Sequence, residues 1–345
     1  MHLLTLPPAT LLTLLLPSAL ASVLPPATVA PSAKPLPLLI WHGLGDRYDA
    51  EGLRSVGTLA QKVHPGTYVK FIKLDDDGGN DRTATFFGNV SAQIETVCEE
   101  LRHDPQLASV GGGSTGVGEM RVDALGFSQG GQFLRALLQR CDGLSMRALV
   151  TFGSQHNGIA QFQLCGAYDF VCKGAAALIK NNAWSDGVQG RVVPAQYYRT
   201  VNESTGLGSE AYLAGSRFLA DVNNERVVKN EGYAAKVASL DKLVLFVFGE
   251  DQTVIPKESG WFAEVNATSE EVTPLRNRTM YHEDWIGLKK LDERGGLVFK
   301  TAPGKHMELE EKLLAETFGV YFGPERVAQG GMMDGLVVQG GDGGS

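Results

Sequence analysis

The sequence predicts an α/β fold with a mainly parallel sheet. Three observations carry that expectation. Short β-prone apolar runs alternate with amphipathic helical stripes, as strand–helix–strand units require. The first of these runs stops at a glycine loop. A Gly-x-Ser-x-Gly stretch joins one strand to the helix behind it. In order, residues 36–41 form an apolar run ending at His42-Gly43, which reads as a buried first strand. Residues 68–74 are a second candidate strand. Residues 91–102 place Ile94, Val97, Cys98 and Leu101 at i, i+3, i+4 and i+7, a helical stripe. Residues 120–127 read as a strand. The helix expected over 130–141 has Phe133, Leu134, Leu137 and Leu138 on one face. Further strands are expected at 148–152, 243–248 and 297–300, and a closing helix at 309–318. Between 156 and about 240 there is no strand run but several helical patches, so a helical insertion is expected there.

Residues 3–21 are apolar, carry no charge and end in Ala19-Leu20-Ala21, the pattern of a cleaved secretory signal peptide over 1–21. Pro7, Pro8 and Pro17 break the run below a membrane span, so no transmembrane anchor is expected. Residues 22–35 are rich in Pro and Ala and read as an unstructured leader. The folded domain is expected over 36–323 and a Gly-rich disordered tail over 324–345. Residues 111–118 read as a surface loop, and Asp75-Asp76-Asp77 before Gly78-Gly79 as a solvated turn. Sequons at Asn89, Asn202, Asn266 and Asn277 are glycosylation candidates that fit the same compartment. There are 4 cysteines and no Cys-x-x-Cys, which removes zinc-ribbon and thioredoxin readings; in an oxidising lumen they would pair. The net charge of −8, with no Lys/Arg cluster, argues against a nucleic-acid partner.

Parallel sheets place active sites at the carboxyl ends of their strands. There stands Gly126-Phe127-Ser128-Gln129-Gly130. A serine in a strained strand-to-helix turn raises its hydroxyl above the sheet, and flanking glycines remove the side chains that would clash. A hydroxyl needs a base to act as a nucleophile. In the chain order Ser, acid, His, only His282 and His306 come late enough. His306 follows the 297–300 strand through a loop and is favoured; His282 has no strand before it. The strand at 243–248 runs into Gly249-Glu250-Asp251, so both carboxylates are candidates for the acid, with the shorter Asp251 ahead. The Gln129 amide and an amide of the loop after the first strand, that of Leu44, can form an oxyanion hole. His42 reads as a packed residue beneath the site.

These stretches resemble the lysosomal palmitoyl-protein thioesterases. The resemblance runs from about residue 36 to 323. It rests on Leu39-Ile40-Trp41-His42-Gly43-Leu44-Gly45-Asp46, on Gly126 through Arg135, and on Gly153-Ser154-Gln155-His156. It continues in Phe218 through Arg226, Trp261-Phe262, Ile286-Gly287-Leu288 and Gly304-Lys305-His306-Met307. It implies an α/β-hydrolase that removes long acyl chains from protein cysteines, in the lysosome, a vacuole or outside the cell. It also implies a triad of Ser128, Asp251 and His306, with Asp251-Gln252-Thr253-Val254-Ile255-Pro256 preferring Asp251 to Glu250. Oxyanion donors at Leu44 and Gln129 and disulfides Cys98–Cys141 and Cys165–Cys172 follow from it too. No metal or cofactor is expected. The expected partners are S-acylated proteins or peptides and fatty acyl chains. Phe162, Phe170, Val171, Leu178, Ile179 and Trp184 of the insertion are candidates for an acyl groove. The rival readings are a secreted lipase or carboxylesterase on oxygen esters, and a catalytically idle lipid-binding protein.

Overall fold

The computed structural model describes residues 34–108, 119–161, 173–174, 177, 179 and 182–325. Residues 1–21, expected to be a signal peptide, nearly all of the expected leader, residues 111–118, those beyond 325, and Cys165 and Cys172 lie outside the described residues.

Six strands form one sheet: β1 (Leu38–Trp41), β2 (Val69–Phe71), β3 (Met120–Phe127), β4 (Leu144–Phe152), β5 (Lys242–Phe248) and β6 (Leu297–Ala302). Their order is β6-β5-β4-β3-β1-β2, and all five pairings are parallel. This is the α/β-hydrolase-type architecture that the sequence predicts. Parallel strands need helical crossovers, and the crossovers bury both faces of the sheet; hence β5 reads as an unbroken apolar run, Leu-Val-Leu-Phe-Val-Phe.

Alternation along β1 divides the core. Leu38 and Ile40 point to one face with Leu125, Val150, Phe152 and Phe246. That face is covered by α1 (Glu51–Val63) and α5 (Glu311–Tyr321), through Leu53, Leu59, Leu314 and Phe318. Leu39 and Trp41 point to the other face. It is covered by α3 (Val90–Arg102), α4 (Gln129–Arg140) and side chains of the insertion, Phe218 and Leu219 among them. A seven-residue helix, α2 (Gly78–Ala84), precedes α3, and the Asp77 carboxylate caps it by accepting the N–H groups of Gly79 and Asn80.

Helix α4 lies unusually close to the sheet. Every residue from Gln129 to Gln139 is buried. A Cβ on Gly130 would sit 2.3 Å from the carbonyl oxygens of Trp41 and His42, so the backbone itself excludes any side chain there. The far end of α4 is tied to α3 by the disulfide Cys98–Cys141. Between β4 and β5 the insertion contains short helices, as expected. It also holds a short antiparallel ribbon, Val201–Asn202 with Leu207–Gly208, which the sequence does not announce. Two-residue strands carry no alternation to read. Among the described residues no helix is long and apolar enough to cross a membrane.

Two outcomes test this packing. Gly130→Ala should destabilise the protein by at least the upper end of the ~1–3 kcal/mol typical of overpacking, read as a shift in the denaturant midpoint. Mass spectrometry of an unreduced digest should recover Cys98 linked to Cys141. Replacing the pair with Ala should cost ~2–4 kcal/mol of stability.

Candidate active site

Ser128 stands between the end of β3 and the start of α4 with φ 50° and ψ −122°, a conformation that residues with side chains rarely adopt. The turn is tight enough that a Cβ on Gly126 would lie 2.2 Å from the Gly131 Cα. The glycines of the pentapeptide are thus steric requirements of the turn. The strain aims the Ser128 hydroxyl away from the sheet, into a cleft of about 910 Å³.

His306 reaches the hydroxyl from the loop after β6. Its Nε2 is 3.0 Å from Ser128 Oγ, and its Nδ1 is 2.7 Å from Asp251 Oδ2. The second oxygen of Asp251 accepts the N–H groups of Thr253 and Val254, at 2.8 and 3.0 Å. Both lobes of the carboxylate are therefore committed, and its side chain is 1% exposed. The imidazole is packed as well as bonded. Phe248 meets it edge-on at 5.8 Å, and Gly153 lies so near that a Cβ there would be 2.9 Å from Cε1. Of the alternatives left open by spacing alone, Glu250 and His282 are both exposed, and neither joins this chain of hydrogen bonds.

The loop after β1 runs beside the serine. A Cβ on Gly43 would lie 3.0 Å from Ser128 Cβ, and Leu44 lines the same cleft as Ser128 and His306. His42 is 1% exposed, with Nε2 2.9 Å from Asp81 Oδ2. Burial raises the Asp81 pKa, but His42 and the N–H groups of Leu74 and Tyr48 outweigh it and hold the carboxyl below its ordinary range. His42 thus anchors the loop from beneath, as expected.

Three contributors carried no sequence signal. Thr85 Oγ1 accepts the Gly45 N–H at 2.9 Å, and Arg82 Nε donates to the Gly45 carbonyl at 2.9 Å. The Thr85 carbonyl accepts from Gln129 Nε2 at 3.3 Å, and Tyr197 donates its hydroxyl to Gln129 Oε1 at 3.0 Å. One chain of hydrogen bonds therefore links the Gly43–Asp46 loop to the residue after Ser128 and on to the insertion. Burial pushes the Tyr197 hydroxyl well above its ordinary pKa, so it stays protonated and remains a donor. The partners lie 37 to 68 positions apart, and no local pattern announces them.

Of the insertion residues expected to line an acyl groove, Phe162, Phe170, Val171 and Leu178 lie outside the described residues. Ile179 packs instead into a small buried cluster with Phe86, Val188, Val192 and Ala195. Trp184 packs on Tyr198 and Tyr212. Both hold the insertion together. The cleft is walled on that side by Ile159, Tyr197 and Val254, with Leu44 half-buried at the edge. Of the sequons, Asn202 and Asn277 are exposed and Asn266 is half-buried. Asn89 is also half-buried and caps α3, accepting the Ala92 N–H.

Residues 37–306 match the palmitoyl protein thioesterase family model. The chain is 35% identical over 285 residues to Palmitoyl-protein thioesterase 1 of Caenorhabditis elegans, covering 82% of this chain and 90% of that protein. It is 30% identical to Palmitoyl-protein thioesterase 3 of Dictyostelium discoideum, over 79% of this chain and 85% of the relative. Identity to the Lysosomal thioesterase PPT2 homolog of Drosophila melanogaster is 24%, over 83% of this chain and 91% of the relative.

Thr85→Val keeps shape but removes the acceptor for the Gly45 N–H. It is expected to lower kcat on an acyl thioester about 10- to 100-fold, somewhat less than outright loss of an oxyanion donor, with KM little changed. Thr85→Ser should restore most of the loss, which a packing defect alone would not allow.

Proposed function

The chain belongs to the palmitoyl protein thioesterase family, and from that premise we propose that it hydrolyses long-chain acyl thioesters on cysteines of S-acylated proteins or peptides. The observation that carries the proposal is the hydrogen-bonded series from Ser128 through His306 to Asp251. In this reading Ser128 Oγ attacks the thioester carbonyl carbon while His306 Nε2 takes its proton. Asp251 fixes the tautomer, since its Oδ2 faces Nδ1 and leaves Nε2 free to accept. It also stabilises the imidazolium that forms. The carbonyl oxygen becomes an oxyanion, for which the amides of Leu44 and Gln129 are the donors.

Collapse of that intermediate breaks the C–S bond, and the cysteine sulfur departs with the proton from His306. The acyl group remains as an ester on Ser128. Water, deprotonated by His306, then adds to that ester. Release of the fatty acid returns the proton to Ser128. The enclosed side of the cleft, with Ile159 and Val254 buried and apolar, supports an acyl chain there. Each buried methylene contributes about 0.8 kcal/mol before ordering costs.

The compartment belongs to the same proposal: entry into the secretory pathway and residence in a lysosome or vacuole, or release from the cell. The leader composition, the sequons and the lysosomal relative from Drosophila support it.

Ser128→Ala and His306→Ala should each lower kcat by on the order of 10⁴ or more in folded protein, while His282→Ala retains most activity. Near-native turnover by Ser128→Ala would remove it from the mechanism. Across thioesters from short to long acyl chains, kept below micelle thresholds, kcat/KM should rise with length. A maximum at the shortest chains would leave a small-ester hydrolase on this scaffold, and matched oxygen esters would identify it.

A further inference from the structure

The cleft at Ser128 has a second arm, which leads away from the insertion. It passes Ala50 and Met307 and follows one face of α1, through Leu53, Val56 and Leu59 to Lys62, opposite Leu309 and Leu314. The recurrence every three or four residues keeps these positions on one side of the helix. We propose that this arm is the subsite for the polypeptide that carries the acylated cysteine, the segment beside the cysteine lying extended along α1. The inference rests on the thioesterase reading given above.

The two arms differ in how they meet water. On the insertion side Ile159, Tyr197 and Val254 are at most 6% exposed. Along α1 only the floor is closed: Leu53, Leu59 and Leu314 are buried, while Gly52, Ser55 and Thr58 on the rim are exposed. The far end is marked by Lys62 and Glu311, 3.9 Å apart and about three-quarters exposed (76% and 75%). An acyl chain gains most where water is excluded. A polypeptide carries an N–H and a C=O at each residue that need water or a partner, and an open trough leaves them solvated. A protein chain also continues in both directions from its cysteine, so it must lie on a side that opens to solvent.

The dimensions fit. From Leu53 to Lys62 the helix rises about 13 Å, at 1.5 Å per residue. That length accommodates roughly four extended residues at about 3.3 Å each. The rim is low because its α1 positions are small, so backbone can approach, while the apolar floor receives alternate side chains. The acyl group and the sulfur lie on opposite sides of the reacting carbonyl carbon. Two arms diverging at Ser128 therefore match the two halves of the substrate.

The test uses Ser55→Trp and, separately, Thr58→Trp. Both positions are exposed on a helix, where bulk does not disturb the core. Two thioesters of one palmitoyl chain are compared. One is borne by a cysteine within a peptide extended on both sides, the other by N-acetylcysteamine, a small thiol. The ratio of kcat/KM for the peptide thioester to that for the small-thiol thioester should fall about tenfold in each variant, through KM. An unchanged ratio in both variants overturns the proposal. An equal loss on both palmitoyl thioesters, which leaves the ratio unchanged, assigns the arm to the acyl group instead. Failure of the unsubstituted protein on both thioesters would instead defeat the thioesterase reading itself.

Discussion

A residue with a side chain is held at positive φ at the carboxyl end of β3, and the surrounding packing is what keeps Ser128 there. Left alone, such a conformation costs on the order of 1–3 kcal/mol. It persists because α4 cannot retreat. The helix is buried along almost its whole length and pressed onto the backbone of β1 at Gly130. The Ser128 N–H donates to the Phe152 carbonyl at 2.8 Å, and the disulfide secures the other end of α4 to α3. The glycines at 126, 130 and 131 are consequences of this close approach. Substitution at any of them would press on backbone or buried side chains with no room to yield.

The insertion is fixed to that platform by buried charge. Arg199 is 4% exposed and pairs with Glu225 and Glu264, and Arg278 also reaches Glu264, at 3.1 Å. Tyr212 donates to Glu225 at 2.7 Å, and Asn223 accepts from Arg135 of α4 at 2.7 Å. Burial works against the Glu225 carboxylate, but Arg199 outweighs it and keeps the group below its ordinary range. Burial and the charge of Arg135 together hold His156 well below its usual pKa, so the imidazole stays neutral inside the cluster. Buried ion pairs add little net stability, because desolvation offsets attraction. What they impose is geometry: the Arg199 guanidinium, held by both Glu225 oxygens and by Glu264, does not slide. Tyr197, which lines the cleft and bonds Gln129, lies two residues before Arg199 and is held in place with it.

The legible parts of the sequence were those whose physics is local or periodic. Strand β3 was read at its full extent, since its end and the nucleophile turn share one pentapeptide. His306 and the Glu250–Asp251 pair were legible because each follows a strand of a parallel sheet; Asp251 was preferred to Glu250 for its shorter side chain and through the resemblance. Helix α1 was not read, although Leu53, Val56, Leu59 and Val63 form a stripe. Gly52 and Gly57 interrupt it, and Gly57 is there because the Phe71 ring occupies the space a Cβ would need. Thr85, Arg82 and Tyr197 were illegible for another reason. Their partners are tertiary, and nothing near them in the chain differs from an ordinary helix end or core tyrosine.

The proposed chemistry accounts for where the molecule concentrates its order. A thiol ionises far more readily than an alcohol, with a pKa near 8.5 for cysteine, so the C–S bond needs little help to break. The demanding step is formation of the tetrahedral intermediate, in which a serine hydroxyl must be deprotonated and an oxyanion stabilised together. The ordered elements answer those two needs: the carboxylate with both oxygens engaged behind His306, and the hydrogen-bonded chain that ties the Gly43–Asp46 loop to Gln129. The sulfur side requires no such apparatus. It can be an open trough with an apolar floor, and an open trough is also what a polypeptide leaving group needs. In the proposed reaction, rigidity around the carbonyl oxygen at Ser128 and openness along the arm that takes the sulfur side are therefore two consequences of one chemistry.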